Sequence, residues 1–161
     1  MKKIFGATPK SLRHFCYNGN MNELTIFEKI IAGEIPVDFI YEDEQVVAFL
    51  DAFPFEKGHI LVIPRHPYVS VWEMSESEYV HLQSVVHKLA CRLQEQYDTP
   101  ISIYQRNLPG AGQEVPHVHV HIVPRFTTEH ERPIFNDVGE QRISYDSEEE
   151  KQSFVEKLTL R

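Results

Sequence analysis

Apolar positions recur along the chain with two different periods, and each change of period marks an element boundary. Thr25 followed by Glu28 fits a capping box, so Ile26 to Ala32 is expected to form a short helix that Gly33 ends. β-Branched and aromatic runs follow at Phe39 to Tyr41, Val46 to Asp51 and His59 to Ile63, split by the polar EDE and by PFEKG. They predict three strands in antiparallel succession. Ser75 and Glu78 form a second capping box, after which Tyr79, Leu82, Val86, Leu89, Leu93 and Tyr97 step by three or four. That spacing is one face of a long helix, which must cover the sheet. Ile101 to Gln105 and His117 to Val123 supply two further strands, joined by RNLPGAGQEVP, a segment too rich in Gly and Pro to be regular. Phe154, Val155 and Leu158 give a weaker closing helix behind an acidic segment that reads as solvated surface.

The last of these strands carries the chemistry. In HVHVHIV, residues 117 to 123, alternate side chains share a face, so His117, His119 and His121 form a row of imidazoles. Val118, Val120 and Ile122 face the other way, into a core. The pattern reads as a half-buried strand whose exposed face serves a reaction. The bland alternative is a surface strand whose histidines do nothing. Zinc is a chemical rival, since two strand histidines and a third ligand such as His59 make a tetrahedral site. Against it, AlaGlyGln at 111 to 113 offers close backbone approach and amide donors, which suit a phosphate better than a metal. A neutral imidazole can also attack phosphorus and later leave to water, and the middle ring, His119, is the natural nucleophile. A pH-switched binding site uses the same rings but leaves the Gly-rich loop unexplained.

Composition narrows the partners. The chain has 161 residues, enough for one domain with a real core, and a net charge of -8. That charge disfavours a broad footprint on DNA or RNA, which needs clustered Lys and Arg, while leaving a small phosphate ligand open. Cys16 and Cys91 are too few and too far apart for a disulfide framework, and they suit a reducing cytoplasm. No apolar run of about 18 residues is present, so a soluble protein without membrane spans is expected. Residues 1 to 20 carry four basic residues and no acid, lack the apolar stretch of a signal peptide, and read as a flexible leader.

HVHVHIV fits the histidine-φ-histidine-φ-histidine-φ-φ pattern, with φ apolar, and resembles the histidine triad (HIT) family of nucleotide hydrolases and transferases. IFEKIIAGEIP, YEDEQVVAFLD, GHILVIPRH and AGQEVPHVHVHIVPR are similar to the family's successive blocks, in its order, over about 100 residues from Leu24 to Arg125. The resemblance implies an α+β fold: a five-stranded antiparallel sheet with one long and one short helix, the sheet extended across a homodimer. It implies a HIT-like catalytic domain over 21 to 130; beyond it the residues themselves read as an acidic C-terminal extension with a short helix over 131 to 161. His119 resembles the nucleophile, His121 the ring that contacts the phosphate or bridging oxygen, and His117 and His59 the supporting rings. Nucleotide-transferring members typically carry glutamine in place of the last triad histidine, so His121 matches the hydrolytic pattern. Asp51 matches the ribose-binding acid; Ile26, Phe27, Phe49 and Leu50 match the base and sugar pocket; Gly112 and Gln113 match the phosphate-contacting loop.

Two departures stand out. Thr25 and Glu28 occupy the positions where many bacterial relatives have two zinc-binding cysteines, so no structural zinc, and no cofactor, is expected. Arg106 stands where a polar amide residue is usual and Leu108 where glycine is, with Asn107 displaced by one place; Arg106 either binds an extra phosphate or turns outward. The expected activity is hydrolysis of nucleoside phosphoramidates or dinucleoside polyphosphates at the α-phosphorus. A nucleotide-binding regulatory module with little turnover is the alternative, and a zinc-dependent hydrolase a further one.

Overall fold

The computed structural model describes residues 23–126 and 142–160; the leader expected over 1 to 20 lies outside them. Helix α1 spans Ile26–Ile31 and opens on the full capping box. The Glu28 N–H donates to Thr25 Oγ1 at 3.1 Å while the Thr25 N–H donates to Glu28 Oε2 at 2.8 Å, so two otherwise orphaned donors are satisfied reciprocally. Helix α2, Glu76–Tyr97, begins on the same device built from Ser75 and Glu78. Helix α3, Glu148–Leu158, is capped by Ser147. It is the closing helix expected at Phe154, Val155 and Leu158, beside the long helix and the short one at Ile26–Ile31. Among the described residues no helix is long and apolar enough to cross a membrane.

Five strands, β1 (Phe39–Glu42), β2 (Val46–Leu50), β3 (Ile60–Pro64), β4 (Ile101–Gln105) and β5 (Val120–Pro124), form one sheet in the order β1-β2-β3-β5-β4. Every neighbouring pair is antiparallel. Strand alternation sorts the side chains between two cores. Val46, Ala48, Leu50, Ile60 and Val62 face Leu82, Val85, Val86, Leu89 and Leu93 of α2, whereas Val47, Phe49, Leu61 and Ile63 face Phe27 and Ile30 of α1. Each Val, Leu, Ile or Phe among them contributes roughly 1.5–3 kcal/mol on full burial. β2, β3 and β5 are thus buried on both faces, which corrects the expectation of a half-buried histidine strand. On α2, Val85 joins the buried face and Tyr79 stays exposed, so the contact stripe is rotated slightly from the predicted one.

The extension packs on the same core. Val155 and Leu158 are buried with α2, and the Leu160 N–H donates to the Ile40 carbonyl of β1 at 2.9 Å. Gly58, at φ +83, lets the Phe154 ring approach to 3.0 Å of where a Cβ would stand. Any side chain there would meet both that ring and an unfavourable backbone conformation.

Candidate active site

A cleft of about 370 Å³ opens on the α1 face of the sheet. Ile26, Phe27 and Ile30 form one wall, Phe49 and Asp51 close it from the end of β2, and His119 and His121 form its floor. Arg106, Gly112 and Glu114 border it from the loop between β4 and β5. The β5 ladder starts only at Val120, later than expected, because the preceding residues pair with loops. The His117 N–H donates to Val115 O at 2.8 Å and the Val118 N–H to Tyr68 O at 2.7 Å. Side-chain alternation nevertheless persists through this irregular start: Val118, Val120 and Ile122 lie in the α2 core and the three histidines lie opposite.

The hydrogen bonds fix the proton on each ring. His119 Nδ1 is 2.7 Å from the His117 carbonyl, which can only accept, so Nδ1 carries the proton and Nε2 keeps a lone pair in a ring that borders the cleft. His117 directs Nε2 to the Pro64 carbonyl at 2.7 Å, donates there, and is fully buried beneath the site. The Phe55 N–H donates to His59 Nδ1 at 3.3 Å, so the His59 proton sits on Nε2 and is donated to His121 Nδ1 at 2.9 Å. His121 is left with its own proton on Nε2. The opposite tautomer of His59 would set two N–H groups against each other.

Burial disfavours imidazolium in this setting. It lowers the pKa of His59 to about 3, and the positive charges of Arg142 and Arg125 add to the effect. Burial also lowers His119 and His121; a hydrogen bond to the His117 carbonyl opposes the shift at His119, and neighbouring histidines reinforce it at His121. All three rings are therefore neutral at pH 7. Asp51 runs the other way, raised by burial and held back by the Phe53 N–H, which its Oδ1 accepts at 2.9 Å, and by Arg142.

Asp51, His59 and His121 each offer a ligand atom within 4.8 Å of the others, the spacing of a metal site. Within that cluster His59 Nε2 is engaged with His121 at 2.9 Å, while His59 Nδ1 accepts the Phe55 N–H and stands 3.4 Å from Asp51 Oδ2. Thr25 and Glu28 are engaged in the α1 cap.

Aromatic stacking ties these groups into a column. Phe55 stacks on His59, with ring centres 5.7 Å apart, His59 leans on His121 at 5.1 Å, and His121 stacks on Tyr104 at 4.4 Å. A guanidinium caps each end, Arg142 at 3.9 Å over Phe55 and Arg106 at 5.2 Å over Tyr104.

Residues 32–128 match the family model described as the HIT domain. The chain belongs to the HIT domain family. An uncharacterized HIT-like protein of Methanocaldococcus jannaschii is 43% identical over 115 residues, 71% of this chain and 89% of the relative. A HIT-like protein involved in cell-cycle regulation from Bartonella henselae superposes with a TM-score of 0.72 at 28% identity, over 89% of this chain and 97% of the other. A hypothetical histidine triad nucleotide-binding protein from Sulfolobus tokodaii gives 0.69 at 28% identity, over 83% and 88%. The five-stranded antiparallel α+β architecture is shared with these neighbours.

In this HIT domain, the expected residues separate into two groups. Ile26, Phe27, Phe49, Asp51, Arg106, Gly112, His119 and His121 border one cleft, with His59 directly behind His121. Leu50 is corrected: it follows Phe49 on β2, so alternation turns it into the α2 core. Asn107 is not among the cleft residues either; its Oδ1 accepts the Val71 N–H at 2.9 Å. Gln113 is buried beside the cleft, its amide donating to Val69 O and His117 O and accepting from the Leu108 N–H, and so braces the loop. Arg106 turns inward rather than outward. Sequence reasoning missed Phe55, dismissed within a turn, and Arg142, which enters the cleft from a segment read as solvated acid.

Proposed function

We propose that this HIT domain protein is a cytoplasmic nucleotide hydrolase that cleaves the α-phosphate linkage of nucleoside phosphoramidates or dinucleoside polyphosphates through a nucleotidyl-His119 intermediate. The observation that carries the reading is the 2.7 Å bond from His119 Nδ1 to the His117 carbonyl, which leaves Nε2 as a neutral nucleophile in a ring at the cleft. In the first step the Nε2 lone pair bonds to the α-phosphorus, and the P–O or P–N bond breaks with its electron pair going to the departing group. His121, with its proton on Nε2, hydrogen-bonds the departing atom. In the second step water attacks the same phosphorus and the N–P pair returns to His119, releasing a nucleoside monophosphate. The proton count closes over the cycle, since a proton gained by the departing group through His121 is returned by the attacking water. Asp51 accepts the ribose hydroxyls, and Ile26, Phe27 and Phe49 pack on base and sugar. The reading includes a homodimer and no metal.

The test is quenched turnover with α-labelled substrate in the presence of chelator. Label is expected on wild-type protein and absent from His119→Gly, while His121→Ala labels at a reduced rate because it removes a stabilising group rather than the attacking atom. Labelling that survives in His119→Gly rules the mechanism out, and activity that chelator abolishes and zinc alone restores gives the reaction to a metal. A panel that binds nucleotides but turns over none makes the protein a binding module.

A further inference from the structure

Arg142 lies beyond residue 128, where the match to the HIT domain ends, yet its guanidinium borders the cleft. Several contacts hold the segment that carries it. The Ile143 N–H donates to Pro54 O at 2.9 Å, the Gly58 N–H donates to the Tyr145 hydroxyl at 3.1 Å, and Lys57 pairs with Asp146 and Glu150 at 2.6 and 2.7 Å. Arg142 itself donates from Nη1 to Phe53 O at 2.7 Å, and its Cζ stands 3.9 Å from the centre of the Phe55 ring. The same Nη1 stands 3.5 Å from Asp51 Oδ2, and Nη2 stands 3.8 Å from Glu114.

We infer that Arg142 is a positioning residue for Asp51: from outside the HIT domain it fixes that carboxylate to accept the hydroxyls of a ribose, and so sets a preference for ribonucleotides over 2′-deoxyribonucleotides. The inference rests on the nucleotide reading above. A ribose diol presents two donors and needs an ionised carboxylate with free acceptor positions. Asp51 Oδ1 already accepts from Phe53, and Oδ2 faces a His59 nitrogen that carries no proton. The charged and titratable groups facing Asp51 are His59 just before β3, His119 just before β5, Glu114 in the loop before β5, and Arg142 and Tyr145 on the segment that leads into α3. The imidazoles are kept neutral by burial, burial likewise holds the Tyr145 hydroxyl protonated, and Glu114 pushes the Asp51 carboxyl up, so Arg142 supplies the compensating positive charge. Its own charge is shared among Asp51, Glu114 and the Phe53 carbonyl, which suits it to orient a carboxylate rather than to capture a phosphate.

The experiment is calorimetric titration of full-length wild type, Arg142→Gln and Arg142→Lys with adenosine and guanosine 5′-monophosphates and their 2′-deoxy counterparts. Wild type is expected to favour the ribose form. Arg142→Gln is expected to lose about tenfold in affinity for ribose forms, the order of one charge-assisted interaction, and little for deoxy forms. Its ribonucleotide affinity should also fall off at a higher pH than that of wild type as the solution is acidified, because Asp51 gains its proton more readily. Arg142→Lys keeps the charge but not the planar guanidinium that sets Nη1 beside Phe53 O and Asp51 while Nη2 faces Glu114, so an intermediate preference is expected. It reads the same quantity if Arg142→Gln does not fold. Equal losses on both sugars, or a wild-type preference in both variants, overturn the positioning role while leaving the nucleotide reading intact. Wild type that binds no nucleotide overturns both.

Discussion

The backbone carbonyl of His117 decides which nitrogen of His119 faces the cleft, so at the scale of single residues the main chain sets the chemistry. Arg106 caps the Tyr104–His121 end of the column, where the departing group of the proposed reaction would stand. A cation there favours a departing group that is itself anionic. Arg106→Asn is expected to lower kcat/KM for dinucleoside polyphosphates more than tenfold while changing phosphoramidate turnover much less. Parallel losses on both substrates, measured by monophosphate release, would show that Arg106 serves only to shape the loop. Much of this was legible in the sequence, since alternation alone separates His117, His119 and His121 from Val118, Val120 and Ile122. Leu50 was misplaced because a block resemblance carries no parity, whereas the strand does: Phe49 and Leu50 are neighbours in sequence and lie on opposite faces of the sheet. Arg142 left no local sign at all, being one cation in an acidic stretch and more than eighty residues from its partners at Asp51 and Phe53.

Elements were more legible than residues. Both predicted capping boxes, Thr25–Glu28 and Ser75–Glu78, form with reciprocal bonds, because such signals act within one helical turn and need no tertiary context. The start of β5 slipped by three residues because Tyr68 and Val115, distant in one case and local in the other, compete for its amides. The two edges of the sheet differ. At β1 the Leu160 N–H engages the Ile40 carbonyl, whereas β4 presents Ile103 half exposed. An open apolar edge calls for a cover, and a second β4 in a twofold pairing is the proposed one. Light scattering should therefore report about twice 18.8 kDa for wild type. Ile103→Lys should shift the protein toward monomer, since charge on an edge strand opposes pairing. A monomeric wild type, or an Ile103→Lys dimer of unchanged affinity, would rule out assembly through β4.

For the whole molecule, the neutral histidine cluster couples folding to pH. His59, His119 and His121 all have folded pKa values below the ordinary imidazole value of 6.5. Below pH 6.5 the unfolded chain therefore binds protons that the folded one refuses, and stability falls as pH drops from there toward about 3, the value for His59. Asp51, raised by burial, opposes this with a single group. Urea midpoints should decline steadily from pH 7 to pH 5, and a flat profile across that range would show that the cluster takes up protons without unfolding. The column of stacked rings has a consequence for how such proteins diverge. The histidine motif fixes the middle of the column, but Arg106 and Arg142 cap it from a loop and from an appended segment, where chains change most freely. Descent can thus retune the field on His121 and His59 by exchanging either cap, or by gaining or losing the segment that bears one, while every packed ring stays in place.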